Sequence, residues 1–173
     1  AIECNGLVRE LGGLLQVAVS KKATISYELD SASMGVMADR GQLRQVVMNL
    51  ITNAAEAIGE NEGEVVVSTN AREYSAEELG AHFPKAGLES GEYVLLQVSD
   101  TGEGMTAETQ AKLFDPFFTT KATGRGLGLA AVRGILRGHA GAIALETATG
   151  VGTTFSVLLP RVRLPEHVAV RPS

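Results

Sequence analysis

Apolar residues set the first division of the chain. Leu7, Val8, Leu11, Leu14, Leu15 and Val19 recur at close to helical spacing and predict an entry helix over residues 5–22. Residues 24–29 alternate and predict a strand, 31–35 turn, and 36–38 form a short strand. The longest stripe follows Asp39. Leu43, Val46, Val47, Leu50, Ile51, Ala54, Ala57 and Ile58 lie on one face of a helix that ends at 59–63. Asp39 and Gln42 make a capping-box-like pair at its start. Asn49 and Asn53, four apart, stack on one side of this helix near the margin of the stripe. Amides in that position can face a pocket that borders the core, or stand solvated on the flank.

Further on, 64–69 predicts a strand, and Ser75 with Glu78 repeats the capping-box pattern ahead of a short helix near Leu79. Residues 82–91, with Phe83-Pro84 and Gly87, read as a surface loop with little chemistry. A mostly buried strand over 93–99 ends at Asp100, and a helix follows around 107–113. A helix over 127–136 comes next. Strands at 141–147 and 153–159 then flank the Gly150-Val151-Gly152 turn as a hairpin. Residues 161–173 read as a tail or linker.

Composition narrows the class. A chain of 173 residues with 45% hydrophobic and 20% charged residues suits one soluble globular domain. The formal charge of -5 argues against nucleic acid as a partner. The single cysteine, Cys4, has no internal disulfide partner, which makes a reducing compartment the default and helix packing its role. No apolar run approaches the roughly 20 residues that span a bilayer. The chain opens on alanine and is expected to be part of something longer, with any membrane anchor outside it.

The chemistry concentrates between residues 100 and 129. Asp100-Thr101-Gly102-Glu103-Gly104-Met105 follows a strand. Phe114-Asp115-Pro116-Phe117-Phe118-Thr119-Thr120-Lys121 is aromatic and threonine-rich, and Gly124-Arg125-Gly126-Leu127-Gly128-Leu129 opens a helix. A glycine-rich loop at a helix N-terminus offers free N–H groups and the positive end of the dipole to an anion, so a nucleotide pocket is expected. The G-x-x-x-x-G-K-[ST] phosphate loop is absent. Gly126 to Ala131 fits the dinucleotide fingerprint G-x-G-x-x-A, with Glu146 at the expected distance. The fingerprint needs a strand before its first glycine, and 119–125 is polar and turn-like.

Taken in order, the Asn49/Asn53 helix, the 100–105 motif, the phenylalanine segment and the 124–129 motif resemble the N, G1, F and G2 boxes of one family. That family is the ATP-binding domain of bacterial sensor histidine kinases, within the GHKL superfamily. Thr149-Gly150-Val151-Gly152-Thr153-Thr154-Phe155 resembles its final glycine box, so the likeness covers about residues 39–160. The Phe114 to Lys121 wording is similar to the nitrogen-regulation and hybrid-kinase branches.

The resemblance implies an α/β two-layer sandwich of the Bergerat type, a mixed sheet with helices on one face and ATP between helices and lid. It divides the chain into an entry helix over 1–22, read as the end of a preceding helical-hairpin domain, an ATP-binding catalytic domain over 23–160 and a tail over 161–173. It implies that Asp100 accepts a hydrogen bond from the adenine amino group and that Gly102 and Gly104 let the chain pass close to the base. Met105 then packs on the base, and Thr153 supports adenine through water. Asn53 becomes the Mg2+ ligand, an amide oxygen beside phosphate oxygens and waters, and Asn49 contacts phosphate or the metal's hydration shell. Phe114, Phe117 and Phe118 pack the hinge of a lid over 119–125 that closes over the triphosphate, and Phe118 with lid residues Thr119 and Thr120 counts among the nucleotide-binding residues. Lys121 and Arg125 are the cations available to the β- and γ-phosphates, with solvated lid charges the alternative for either. Gly124, Gly126, Leu127, Gly128 and Leu129 cradle phosphates through the backbone. His139 is read as structural, and His82 and His167 as loop and tail residues.

Two departures stand out. Glu56 occupies the place where many family members carry a phosphate-reaching lysine, and no histidine precedes His82 to accept a phosphoryl group. The implied function is therefore positioning of Mg-ATP for transfer to a histidine in a separate dimerisation domain, and on to a response regulator or receiver domain. Little turnover is expected of this chain alone, and the full-length parent is expected to be a homodimer with this domain in the cytoplasm, the parent itself soluble or attached to the inner membrane. Three rivals remain: a clamp ATPase of the gyrase, Hsp90 and mismatch-repair group, a non-catalytic ATP-binding regulatory module, and a serine kinase of the anti-sigma type. The first places a glutamate base where Asn49 stands, and an amide takes no proton from water.

Overall fold

The computed structural model describes residues 1–18, 22–32, 34–84, 86–114 and 128–164. In chain order the elements are β1 (Ile2–Glu3), α1 (Cys4–Ala18), β2 (Ala23–Leu29), β3 (Gly35–Val36), α2 (Arg40–Ile58) and β4 (Gly63–Tyr74). They continue with α3 (Ala76–His82), β5 (Gly91–Asp100), α4 (Ala107–Lys112), α5 (Gly128–Gly138), β6 (Ala142–Ala148) and β7 (Gly152–Pro160). Five strands form one sheet in the order β2-β4-β5-β7-β6. β2 and β4 are parallel, which requires a crossover, and α2 lies within it; every other pairing in this sheet is antiparallel.

Strand alternation fixes the two faces. Val65, Val67 and Thr69 of β4, Val94, Leu96 and Val98 of β5, and Phe155, Val157 and Leu159 of β7 are buried at alternate positions. Their apolar members share one core with the α2 stripe, with Leu7, Val8, Leu11 and Leu15 of α1, and with Val132 and Leu136 of α5. Asp100 and Thr153 continue the same inward rows and face each other in register. A carboxylate and a hydroxyl thus terminate two otherwise apolar rows.

The expected two-layer α/β sandwich is present, with α1, α2 and α5 on one face. The opposite face is not bare. Tyr74, Tyr93, Ala142 and Leu158 have the other strand parity, and they form a second, smaller core with Leu79 of α3 and Phe83. The segment read as a surface loop therefore buries a phenylalanine on the back of the sheet. Ser75 and Glu78 cap α3 reciprocally, as their spacing predicts.

α1 starts at Cys4, where the Glu3 carboxylate accepts from the N–H groups of Asn5 (3.2 Å) and Gly6 (2.6 Å). Buried Asn5 donates to the Asp30 carbonyl at 2.7 Å and accepts from the Thr69 hydroxyl at 2.6 Å, which ties the start of α1 to the sheet. The Cys4 thiol is buried, and desolvation, with Glu3 nearby, pushes its pKa up to about 12. It is a neutral packing group. Residues 161–162, placed in the tail from sequence, dock instead: Arg161 bridges to Val36 and the Val162 N–H donates to the Gly35 carbonyl at 2.9 Å. Residues 165–173 lie outside the described residues.

α5 ends in a Schellman turn: Gly141 N–H reaches the Leu136 carbonyl at 2.8 Å and Ala140 N–H the Arg137 carbonyl at 3.3 Å. The left-handed position falls on Ala140, at φ 56°. Its Cβ is strained there, so Ala140→Gly is expected to stabilise the domain by about 1 kcal/mol. A higher urea midpoint at unchanged m-value checks this.

Candidate nucleotide site

α2 is the floor of the site. The Asp39 carboxylate caps it by accepting the Gln42 N–H at 2.9 Å, and Gly59, at φ 63°, closes it with a bond to the Ala55 carbonyl at 3.1 Å. Its last turn supports the loop after β5. The Asp100 carboxylate accepts the Gly102 N–H at 2.9 Å, turning the chain, and the Glu103 N–H donates to the Ala57 carbonyl at 3.3 Å. A Cβ on Gly102 would lie 2.7 Å from the Ala57 carbonyl, so only glycine lets the loop rest on the helix.

The same loop is sewn to the β6–β7 hairpin. Gly104 has φ 70°, and a Cβ there would overlap the Ala148 carbonyl, with its carbon 2.6 Å away. Gly150 N–H donates to the Glu103 carbonyl at 2.8 Å, and Met105 N–H to the Thr147 hydroxyl at 2.9 Å. That hydroxyl also lies 2.9 Å from the Thr153 hydroxyl and 3.2 Å from the Gly152 carbonyl. Thr147 was missed in the sequence. The only signal for it is the hairpin register around Gly150, which sets 147 opposite 153. Asp100, Gly102, Gly104, Met105 and Thr153 are thus gathered at one end of the sheet, as their motifs suggested.

The other end of the site lies farther back along α2. Asn49, half-buried, donates through Nδ2 to the carbonyl of Gly128, the first residue of α5, at 3.3 Å. That bond fixes the amide and leaves Oδ1 as its acceptor face. Asn53 is half-buried one turn on, and Leu129 packs against the main core. From Asn49 to Ala57 is eight residues, so the Gly128 contact and the Gly102 contact lie about 12 Å apart along the helix axis, with Asn53 between them. Glu56 is exposed on this helix.

Phe114 is half-buried against the core, and the Arg133 guanidinium lies 5.5 Å from its ring centroid. Phe118, Thr119, Thr120, Lys121, Gly124, Arg125, Gly126 and Leu127 lie outside the described residues. Among the described residues no three His, Cys, Asp or Glu side chains stand together as a metal site. A divalent cation here would depend on amide oxygens, phosphate oxygens and water, the ligand set that suits Mg2+. A groove of about 580 Å³ opens elsewhere, between α1 and β2, lined by Arg9, Gly12, Tyr27 and Leu29 among others. It contains none of the motif residues.

Residues 38–163 match the family model described as histidine kinase-, DNA gyrase B-, and HSP90-like ATPase. The chain belongs to this family. Within it the likeness is to sensor histidine kinases. The chain is 38% identical over 162 residues to the sensory histidine kinase/phosphatase NtrB of Rhizobium leguminosarum bv. phaseoli, covering 92% of this chain and 40% of NtrB. The catalytic domain of histidine kinase ThkA, solved nucleotide-free, superposes with a TM-score of 0.73 at 31% identity, covering 92% of this chain and 93% of that one. Full-length ShkA, solved in complex with AMPPNP, gives a TM-score of 0.72 at 26% identity over 94% of this chain and 31% of ShkA. The chain spans 17% of the sensor kinase CckA of Brucella abortus (strain 2308) and 41% of NtrB of Rhizobium meliloti (strain 1021), well under two thirds of either. Among the described residues, no helix of this histidine-kinase-type domain is long and apolar enough to cross a membrane.

Proposed function

We propose that this domain binds ATP with Mg2+ across α2, adenine at the Asp100 end and phosphates at the Gly128 end. On this reading it presents the γ-phosphoryl group to a histidine of a separate dimerisation domain. The observation that carries the reading is the polarity of the cleft. A buried, hydrogen-bonded carboxylate stands at one end and the N-terminus of α5 at the other, with half-buried Asn49 at that second end and half-buried Asn53 midway. The carboxylate suits an exocyclic amino donor, and the helix N-terminus suits phosphate.

Asn53 would hold Mg2+, which supplies charge neutralisation on the phosphate oxygens, and Asn49 would turn its oxygen face to phosphate or the metal's hydration shell. Lys121 and Arg125 would add positive charge from the lid. This chain's own contribution is positioning. The phosphoryl group leaves the β–γ bridging oxygen, giving ADP, and bonds to the acceptor nitrogen; a response regulator would take it next. Hydrolysis is disfavoured, because the Asn49 amide, which donates one of its two Nδ2 hydrogens to Gly128, has no basic lone pair for a water proton.

Calorimetric titration with ATP or a non-hydrolysable analogue, with and without Mg2+, tests the reading. Adenine-specific, Mg2+-enhanced binding supports it, and a folded domain that takes up no nucleotide refutes it. Asn53→Ala separates the metal's share. Affinity in Mg2+ is expected to fall about tenfold, about 1.4 kcal/mol, with little change in EDTA. Equal losses in both conditions would remove Asn53 from the metal.

A further inference from the structure

The far end of α5 carries a contact that its helix-capping role does not explain. His139 follows the last residue of α5, and its ring spans two main chains. Nδ1 lies 2.7 Å from the Ile135 carbonyl, which only accepts, and Nε2 lies 3.1 Å from the Asp39 nitrogen, which only donates. Both bonds form together only in the neutral ring with its hydrogen on Nδ1. The Asp39 N–H stands at the start of α2, and the Asp39 carboxylate is committed to Gln42.

α2 and α5 therefore run antiparallel and are pinned twice. His139 ties the end of α5 to the start of α2, and Asn49 ties the middle of α2 to the start of α5. Between the pins, Val132 and Leu136 share the apolar core with the α2 stripe. Apolar contacts are non-directional and resist sliding weakly, whereas a hydrogen bond at each end fixes the axial register of the pair.

The geometry points to His139 as a positioning residue for the nucleotide site. It holds α5 at one height along α2, so that Gly128 and the N-terminal N–H groups of the helix stay aligned with Asn49 and Asn53. The inference rests on the ATP reading of the cleft.

Two substitutions separate the ring's two bonds. His139→Asn keeps a donor at the Nδ1 position for Ile135 and is too short to reach Asp39. His139→Gln places a neutral acceptor at the reach of Nε2. Mg-ATP affinity is measured by calorimetry beside the urea midpoint of each variant. His139→Asn is expected to stay folded and bind about tenfold more weakly, and His139→Gln to remain within about threefold of wild type. A His139→Asn variant that binds like wild type, whatever its midpoint, overturns the proposal. Equal weakening of both variants also overturns it, since the ring would then act by packing. Wild type that binds no ATP removes the ATP reading and this inference with it, an outcome distinct from the other two.

Discussion

Asp100→Asn is expected to weaken ATP binding by roughly 10- to 100-fold while leaving the domain folded. The substitution changes no volume, and an amide oxygen can still accept the Gly102 N–H that Asp100 holds at 2.9 Å. What changes is the second atom of the group, which becomes an NH2 donor where, on the ATP reading, the adenine amino group would also donate. A lost hydrogen bond to a charged acceptor costs roughly 1.5–3 kcal/mol, and facing donors allow no recovery. Calorimetric Kd values for ATP and GTP check both halves of the argument: ATP weakens, and the preference for adenine shrinks. An unchanged Kd at an unchanged urea midpoint would place adenine elsewhere.

Gly152→Ala should do the larger damage to the fold. Gly152 adopts φ 137°, where L side chains are strained, and its Cβ would overlap the Asp100 carbonyl oxygen, with Thr101 Cα 3.2 Å away. Both obstacles are backbone, so no flexible side chain can yield. Strain and overpacking together cost about 3 kcal/mol or more, a melting temperature lower by roughly 6–12 °C in a domain of this size. Because the displaced backbone belongs to Asp100, ATP affinity falls with stability. Thermal unfolding followed by circular dichroism reads the first effect. A melting temperature within about 2 °C of wild type would show that the hairpin can shift freely.

α2 was legible because three signals agree: a cap at Asp39, an unbroken apolar stripe and a terminal glycine. β4 was legible only to Thr69. Its last five residues, from Asn70 to Tyr74, carry little alternation, and they are strand because β5 offers partners from Leu95 back to Gly91. Pairing with a neighbour leaves no trace in a segment's own hydrophobic pattern. The back-face core escaped for a related reason. Leu79 and Phe83 look like isolated apolar residues until strand parity brings Tyr74, Tyr93 and Leu158 to the same side.

The glycine motifs could be read as nucleotide chemistry one at a time. Periodicity says nothing of their adjacency, which was anticipated through the family likeness. The thread joining them, Met105 N–H to Thr147 to Thr153, runs through a threonine that belongs to no motif. His139 was read as structural, and its reach to Asp39, a hundred residues away in sequence, is visible only in three dimensions.

The small sheet made by β1 and β3, with the bridge from Val36 to Arg161, has a mechanical consequence. Residues 2–3 and residues 161–162 both bond to the same two-residue strand. Tension applied between those two points falls first on a few hydrogen bonds at one corner of the domain, one of which, Arg161 N–H to the Glu92 carbonyl at 3.0 Å, leads into the five-stranded sheet. The corner therefore couples both ends of the described chain: a pull there strains the β1–β3 pair and, through Glu92, the far end of the strand that closes on Asp100.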